Sequence, residues 1–555
     1  MTEVRPGATS RDTADAVPPV RPAALVALAA VAVGWALTGT AEPPPPPPTT
    51  PVFSFAADRL GGSATGVALF DLDGEIVSDD VCLADPRHGG VTVAPVPGTH
   101  GGYRPFRLTA PGPRGVPVGC LPADLDEDGA QDLVVLYRDR SPSLFVRLPG
   151  TRPSATAFAH REPAVRPGPW NTAAASVGDF DGDGHLDLVL AAGTASGGSS
   201  PDVHDDGPRL YLGTGTGTFT EAPQAFGEAG RTGGTLALGT RDLDGDGLPE
   251  LYLANGLGPD TLLVNESAPG RAAFRVASGT RDLTTPRSSV LGRDSSDSGA
   301  VAFTDLDADG AQDILIGRGP DEIGPVFVST VLPGLREHLH EGEAPYEDRA
   351  GELGLGRTGR VWDVETADLD NDGHDEIMYA VAAPGGVTLF TPGADGRHTN
   401  VAGPVPPGGD ATALAVGDVD DDGRLDVAVS GPLTPATLYR NHGVTAPFVG
   451  LRPRLPAGPC GAAHGAAGVT RPAIGAEARL RLPDGGTLAG QLYPAASAPE
   501  LLLGLGETDT GEAALPVALS WRDECGVPRT ATVSLDPGWH DLLLTPQGVT
   551  ELRNP

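Results

Sequence analysis

Basic side chains are scarce in this 555-residue chain: 38 Lys and Arg stand against 73 Asp and Glu, a formal net charge of −35. No basic patch with interleaved aromatics occurs, and a surface of this sign repels nucleic acid and anionic lipid, so both are excluded as partners. Catalytic signatures are missing too: there is no His-Glu-x-x-His, no Gly-x-Ser-x-Gly and no phosphate-binding loop. Asp297-Ser298-Gly299 has no identifiable partner and reads as a turn. Gly504-Leu505-Gly506 lacks the strand–helix setting of a dinucleotide fingerprint, and Trp362-Asp363 occurs singly. No catalytic residue and no organic cofactor site is therefore assigned. Apolar residues make up only 39 % of the chain, too few for one large core unless many small cores share the burial.

What is present is a repeated acidic string. Six times between residues 124 and 426 the chain reads Asp-x-Asp-x-Asp-Gly-x-x-Asp/Glu, starting at Asp124, Asp179, Asp242, Asp305, Asp368 and Asp418, with spacings of 55, 63, 63, 63 and 50 residues. Carboxylates recur at loop position 1, at position 3 (Asp126, Asp181, Asp244, Asp307, Asp370, Asp420), at position 5 (Asp128, Asp183, Asp246, Asp309, Asp372, Asp422) and at position 9 (Asp132, Asp187, Glu250, Asp313, Glu376, Asp426). Position 6 is always Gly, which permits the φ > 0 needed to fold the loop over an ion. Position 7 varies freely (Ala130, His185, Leu248, Ala311, His374, Arg424), as expected where only a backbone carbonyl is offered. His185 and His374 accordingly read as solvent-facing. Such an all-oxygen set suits Ca²⁺, a hard cation taking 6–8 oxygen ligands, and about six Ca²⁺ sites are expected. Six bound ions would reduce the formal charge from −35 to −23. An EF-hand would require Glu at position 12 and flanking helices. Position 12 is instead Val135, Leu190, Leu253, Ile316, Tyr379 and Val429, within short apolar runs bounded by Gly that read as buried strands. Each loop is thus the tip of a β-hairpin.

An imperfect seventh copy, Asp71 to Asp79, begins 53 residues before Asp124. Its carboxylates fall at positions 1, 3, 5 and 9, but Gly has moved to position 4 and Ile76 stands where Gly belongs. Whether this loop near Asp71 binds Ca²⁺ is left open. Leu210–Phe219, Leu262–Asn265 and Leu438–Asn441 recur out of phase with the loops as a later strand and its turn. A period of this length fits one four-stranded blade, and seven blades closing radially protect their sheet edges.

These repeats resemble FG-GAP/VCBS repeats, found in integrin α-chain propellers and many bacterial surface proteins. The resemblance implies an all-β, seven-bladed β-propeller over residues 55–445, with its calcium loops on one face between the first two strands of each blade. Residues 446–555 change composition. Ala473-Ile474-Gly475-Ala476, Leu501–Gly506 and Trp521–Gly526 resemble the ASPIC/UnbV module of the cartilage acidic protein family. Leu503 replaces that module's Phe, and Trp521-Arg-Asp-Glu-Cys525-Gly526 replaces its Trp-Pro-x-Gly. A small C-terminal β-domain packed on the propeller is expected.

Residues 1–21 read as a polar tail. Residues 22–41 are uncharged, with an apolar core of 16 residues that is short for a membrane span and long for a signal peptide. A single-pass signal-anchor and a cleaved signal both remain open. Residues 42–54 form a Pro-rich, extended linker. Of the four Cys, the simplest pairing is Cys82–Cys120 and Cys460–Cys525, which suits an extracytoplasmic site, secreted or anchored at the cell surface. The function expected is a non-enzymatic, calcium-stabilised scaffold binding a protein or glycan ligand. A polysaccharide-processing enzyme or a lectin on the same propeller is the alternative.

Overall fold

The computed structural model describes residues 53–99, 101–162, 171–193, 207–227, 234–256, 260–277, 298–307, 309–319, 326–329, 346–356, 358–393, 395–401, 403–404, 409–460, 468–483, 485–493, 495–506 and 514–552. The expected tail, apolar segment and most of the Pro-rich linker lie outside them. Among the described residues no helix is long and apolar enough to cross a membrane.

Between Phe55 and Asn441 the described strands form seven four-stranded antiparallel sheets. Six take four consecutive strands each; Pro117–Ala123, Asp132–Tyr137, Ser143–Arg147 and Phe158–Arg161 are one such set. The seventh is composite. Ala413–Gly417, Asp426–Ser430 and Pro435–Asn441 supply three strands, and the fourth is Phe55–Ser63 from the other end of the domain, paired Phe55 to Asn441 through Arg59 to Thr437. The first strands of successive sheets, Gly66–Phe70 through Ala413–Gly417, touch in order, and the last touches the first. The sheets therefore stand around an axis as a closed β-propeller.

The second strand of each sheet shows why so few apolar residues suffice. Asp132–Tyr137, Asp187–Ala192, Glu250–Asn255 and Glu376–Val381 are buried at every position. Sheets cover both of their faces, so these strands read as continuous apolar runs rather than alternations. Each core draws on two neighbouring sheets: Leu121, Val134 and Leu144 meet Leu188, Leu190 and Tyr211, and Met378 and Leu389 meet Leu414 and Val427. Burying one such side chain stabilises by about 1.5–3 kcal/mol, and the repeat spreads that gain around the ring. The Cys82–Cys120 disulfide ties the first sheet to the second.

Residues from Phe448 onward form two further sheets, in the region where a small β-domain is expected. One sheet orders Thr470–Pro472, Phe448–Pro456, Gly538–Thr545 and Gly548–Glu551, with Leu501–Gly504 also on Phe448–Pro456. The other orders Thr487–Gln491, Glu477–Arg481, Leu515–Arg522 and Pro528–Leu535. Here burial alternates along Leu515–Arg522, the mark of a sheet with one covered face. Val449, Leu480, Val517 and Leu544 are among its core residues, and the Cys460–Cys525 disulfide closes it.

Candidate metal centre

Every acidic string is the hairpin between the first and second strands of a propeller sheet, as the apolar runs after it predict. Its geometry repeats from loop to loop, except that Asp426 of the sixth loop lacks the position-9 bond described below. The position-1 carboxylate accepts the N–H of position 5 on one oxygen and of position 6 on the other: Asp128 and Gly129 on Asp124 at 3.1 and 2.8 Å, Asp183 and Gly184 on Asp179 at 3.0 and 3.0 Å, Asp372 and Gly373 on Asp368 at 3.0 and 2.8 Å. Asp242, Asp305 and Asp418 repeat the pair. Position 5 in turn accepts the N–H of position 7, as Asp246 does from Leu248 at 2.8 Å and Asp309 from Ala311 at 2.8 Å. The position-9 carboxylate opens the second strand and reaches back to the N–H of position 2: Leu125 to Asp132 at 3.1 Å, Leu243 to Glu250 at 2.8 Å, Leu369 to Glu376 at 2.9 Å.

Position 6 is left-handed in all six loops, and position 4 in five of them. Position 6 has φ between 79° and 93° in Gly129, Gly184, Gly247, Gly310, Gly373 and Gly423. Position 4 is left-handed as well, in Glu127 (58°), Gly182 (75°), Gly245 (76°), Asn371 (62°) and Asp421 (60°). The sequence reading missed this second turn, although Gly, Asn and Asp are the residues that tolerate it.

The carboxylates converge. Oxygens of Asp124, Asp126 and Asp132 lie within 4.8 Å of one another, as do those of Asp179, Asp181 and Asp187, of Asp242, Asp244 and Asp246, and of Asp305, Asp307 and Asp313. Position-9 groups are almost fully buried, Asp132, Asp187, Asp313 and Glu376 at 0 % exposure. Burial, reinforced by neighbouring carboxylates, pushes Asp124, Asp179, Asp242 and Asp305 up to about 7 and Asp126, Asp181 and Asp370 up to about 6. Asp132, Asp187, Glu250 and Glu376 are also raised well above the ordinary carboxylate range, for the same first reason. Carboxylates this crowded favour a bound cation or a proton. Asp126 Oδ1 is buried without a donor. That orphan oxygen and the all-oxygen donor set fit a hard divalent cation such as Ca²⁺.

The loop at Asp71 departs from the sequence alignment. Its second strand starts at Asp80, and Leu72 N–H binds Asp80 Oδ2 at 2.7 Å, so Asp80 and not Asp79 fills the position-9 role; the loop is one residue longer. Oxygens of Asp71, Asp73 and Asp80 converge. Gly74 at position 4 has not moved from anywhere: it takes the first left-handed turn (88°), and Ile76 takes the second at φ 76° while its N–H binds Asp71 Oδ2 at 2.9 Å. A β-branched residue there stores about 1–3 kcal/mol of strain. Ile76→Gly is expected to raise stability by about 1 kcal/mol after its lost packing is counted, read as a higher urea midpoint with an unchanged slope. A lower midpoint would refute the strain.

The loop face is not open. The C-terminal domain lies on it, and several of its arginines grip the loops. Arg522 Nε–H donates to Gly247 O at 2.7 Å; Arg471 donates to Gly184 O at 3.2 Å and stands 3.4 Å from Glu127 Oε1; Arg452 pairs with Asp421 at 2.8 Å. Backbones meet directly where Gly458 N–H donates to Glu127 O at 2.8 Å and Gly506 N–H to Asn371 O at 2.9 Å. A Cβ on Gly184 would lie 2.5 Å from Gly526 N, so both positions require glycine. His185 is drawn into this junction, its Nδ1 2.9 Å from Glu127 Oε1, which corrects the solvent-facing expectation. His374 is exposed as expected. Residues 491–493 and 495–500 of the same domain bond to the first strands and their ends: Gln491 exchanges two hydrogen bonds with the Asp242 backbone, and Leu69 N–H binds Ala496 O. One end of a central cavity of about 420 Å³ is thereby lined by Gln491, Ser497 and Glu500.

A family model described as an FG-GAP-like repeat matches residues 124–190, 195–253 and 368–429. Two of those matches begin on the first aspartate of a loop. No curated protein sequence matches the chain. Among solved structures, one described as "Crystal structure of BBS1N in complex with ARL6DN, soaked with mercury" is similar at 10 % identity, covering 70 % of this chain and 97 % of that one with a TM-score of 0.39. The corresponding lead-soaked crystal has the same identity and coverage with a TM-score of 0.43. The chain carries FG-GAP-like repeats built into an all-β propeller.

Proposed function

We propose that the protein is a non-enzymatic, extracytoplasmic interaction scaffold: a seven-bladed propeller whose hairpin tips hold Ca²⁺, capped by an ASPIC/UnbV-like domain. The observation that carries this reading is the repetition of the acidic hairpin, with its shared hydrogen bonds, left-handed turns and converging, buried carboxylates. Bound Ca²⁺ would neutralise carboxylates that otherwise repel. The chain's part is to fix their directions through the N–H bonds of positions 2, 5, 6 and 7. Both disulfides suit an oxidising compartment. Because the C-terminal domain occupies the loop face, recognition of a protein or glycan falls to the opposite face and the blade rims. Elemental analysis of protein equilibrated in millimolar Ca²⁺ tests the reading: several bound ions per chain are expected, and none would overturn it.

The raised carboxylates fix the sign of the pH dependence. In metal-free protein each stabilises the fold fully below its unfolded value, near 3.8 for Asp, and that contribution is lost as pH rises through the folded values of about 6 to 7. Metal-free melting temperature should therefore fall between about pH 5 and 8. The increment from added Ca²⁺ should grow over the same window, since deprotonation is what frees the ligands. Calorimetry in chelator and in Ca²⁺ across that range checks both slopes; an increment that shrinks with pH would contradict them.

A further inference from the structure

We propose that the sixth loop, Asp418 to Asp426, takes no metal ion: Arg440 is its built-in cation, and through it the ring is latched shut without Ca²⁺. The inference rests on the calcium reading of the other loops. Arg440 lies on Pro435–Asn441, the third strand of the composite sheet, with its side chain only 11 % exposed. Its three nitrogens are all committed. Nη1 pairs with Asp420, the position-3 carboxylate. Nε pairs at 2.9 Å with Asp58 on the closing strand Phe55–Ser63. Nη2 donates to Pro97 O at 2.6 Å, beyond the third strand of the first sheet. One guanidinium thus joins the loop, the strand that closes the ring and the neighbouring blade.

Two more ligands of this loop are partly engaged as well. Asp418 Oδ2 accepts Gly423 N–H at 2.6 Å, as position 1 does elsewhere, but also Trp539 Nε1–H at 2.8 Å from the C-terminal domain. Two donors use both lone pairs of that oxygen. Asp422 pairs with Arg424 of its own loop. At the loop beginning Asp305 an arginine also approaches, but Arg349 stands 3.6 Å from Asp307 with both side chains more than a third exposed. A guanidinium is never deprotonated in a protein, so Arg440 brings a permanent positive charge to the position-3 carboxylate. Asp426 Oδ1 accepts Asn441 N–H at 2.8 Å; its Oδ2 is buried without a donor, as Asp126 Oδ1 is, but here the Arg440 charge acts on it.

Counting bound Ca²⁺ per chain by elemental analysis after equilibrium dialysis decides the matter. Asp420→Asn is expected to leave the count unchanged, while Asp244→Asn in the third loop lowers it by one. Arg440→Gln is expected to raise it by one. Should Arg440→Gln fail to fold, the Asp420→Asn count still decides. Loss of one ion on Asp420→Asn, with Asp244→Asn behaving as expected, overturns the inference alone. Wild-type protein that binds no Ca²⁺ overturns the calcium reading instead.

Discussion

Chelation of divalent cations is expected to lower the melting temperature by about 10 °C or more. The size follows from linkage. A site that binds only the folded chain contributes RT ln(1 + [L]/Kd), about 2.7 kcal/mol when free Ca²⁺ is one hundred times Kd. Setting the arginine-held loop aside leaves five complete loops, and together they contribute about 13 kcal/mol. An unfolding entropy of about 2.1 cal/mol/K per residue makes each kcal/mol worth about 1 °C in a chain of 555 residues. The loops sit at hairpin tips under the C-terminal domain, so losing ions loosens both the blades and the junction. Asp244→Asn is a graded control: removing one site of five should remove about a fifth of the increment. A chelated sample that melts with the loaded one would show that the carboxylates hold nothing of consequence.

Features repeated along the chain, or held within a few residues, were legible in the sequence. The ligand positions, the hairpin placement of each loop and the buried strand after it all announce themselves through spacing. The two disulfides matched the simplest pairing, which joins cysteines near in sequence. Where the reading stopped, the cause was distance along the chain. Phe55 was a domain boundary in the sequence, and nothing local reveals that its strand pairs with Asn441. Arg471 and Arg522 look like ordinary surface arginines, yet each reaches a loop more than 270 residues away. Asp80 was displaced from its role by an alignment that assumed equal loop lengths, and the register of Phe70 with Asp80 settles it. Position 4 was the one missed local signal, because Glu127 hides a pattern that Gly182, Gly245, Asn371 and Asp421 display.

Glu127 also carries the second large effect: Arg471→Met is expected to destabilise the protein by about 3–5 kcal/mol, since it strands a buried charge. Glu127 and Arg471 are each only 2 % exposed, and their contact joins the first complete loop to the C-terminal domain. Met preserves much of the arginine's volume, so the loss reports on charge rather than on a cavity. After the substitution the Glu127 carboxylate retains His185 as its charged neighbour. The hydrogen bond to Glu127 is also the first cause that raises the His185 pKa above 6.5. A histidine raised in the fold contributes stability that is complete below its unfolded pKa and lost as pH rises through its folded one. The Arg471→Met defect should therefore be smallest below about pH 6 and grow towards pH 8. Adding Glu127→Gln to Arg471→Met should recover most of the loss, because the buried charge then disappears along with its partner. Denaturant unfolding of the two single variants and the double variant at both pH values measures that coupling. A single-variant loss under about 1 kcal/mol would show that the junction does not depend on this pair, leaving Arg522, Arg452 and the backbone contacts of Gly458 and Gly506 to hold the cap on the loops.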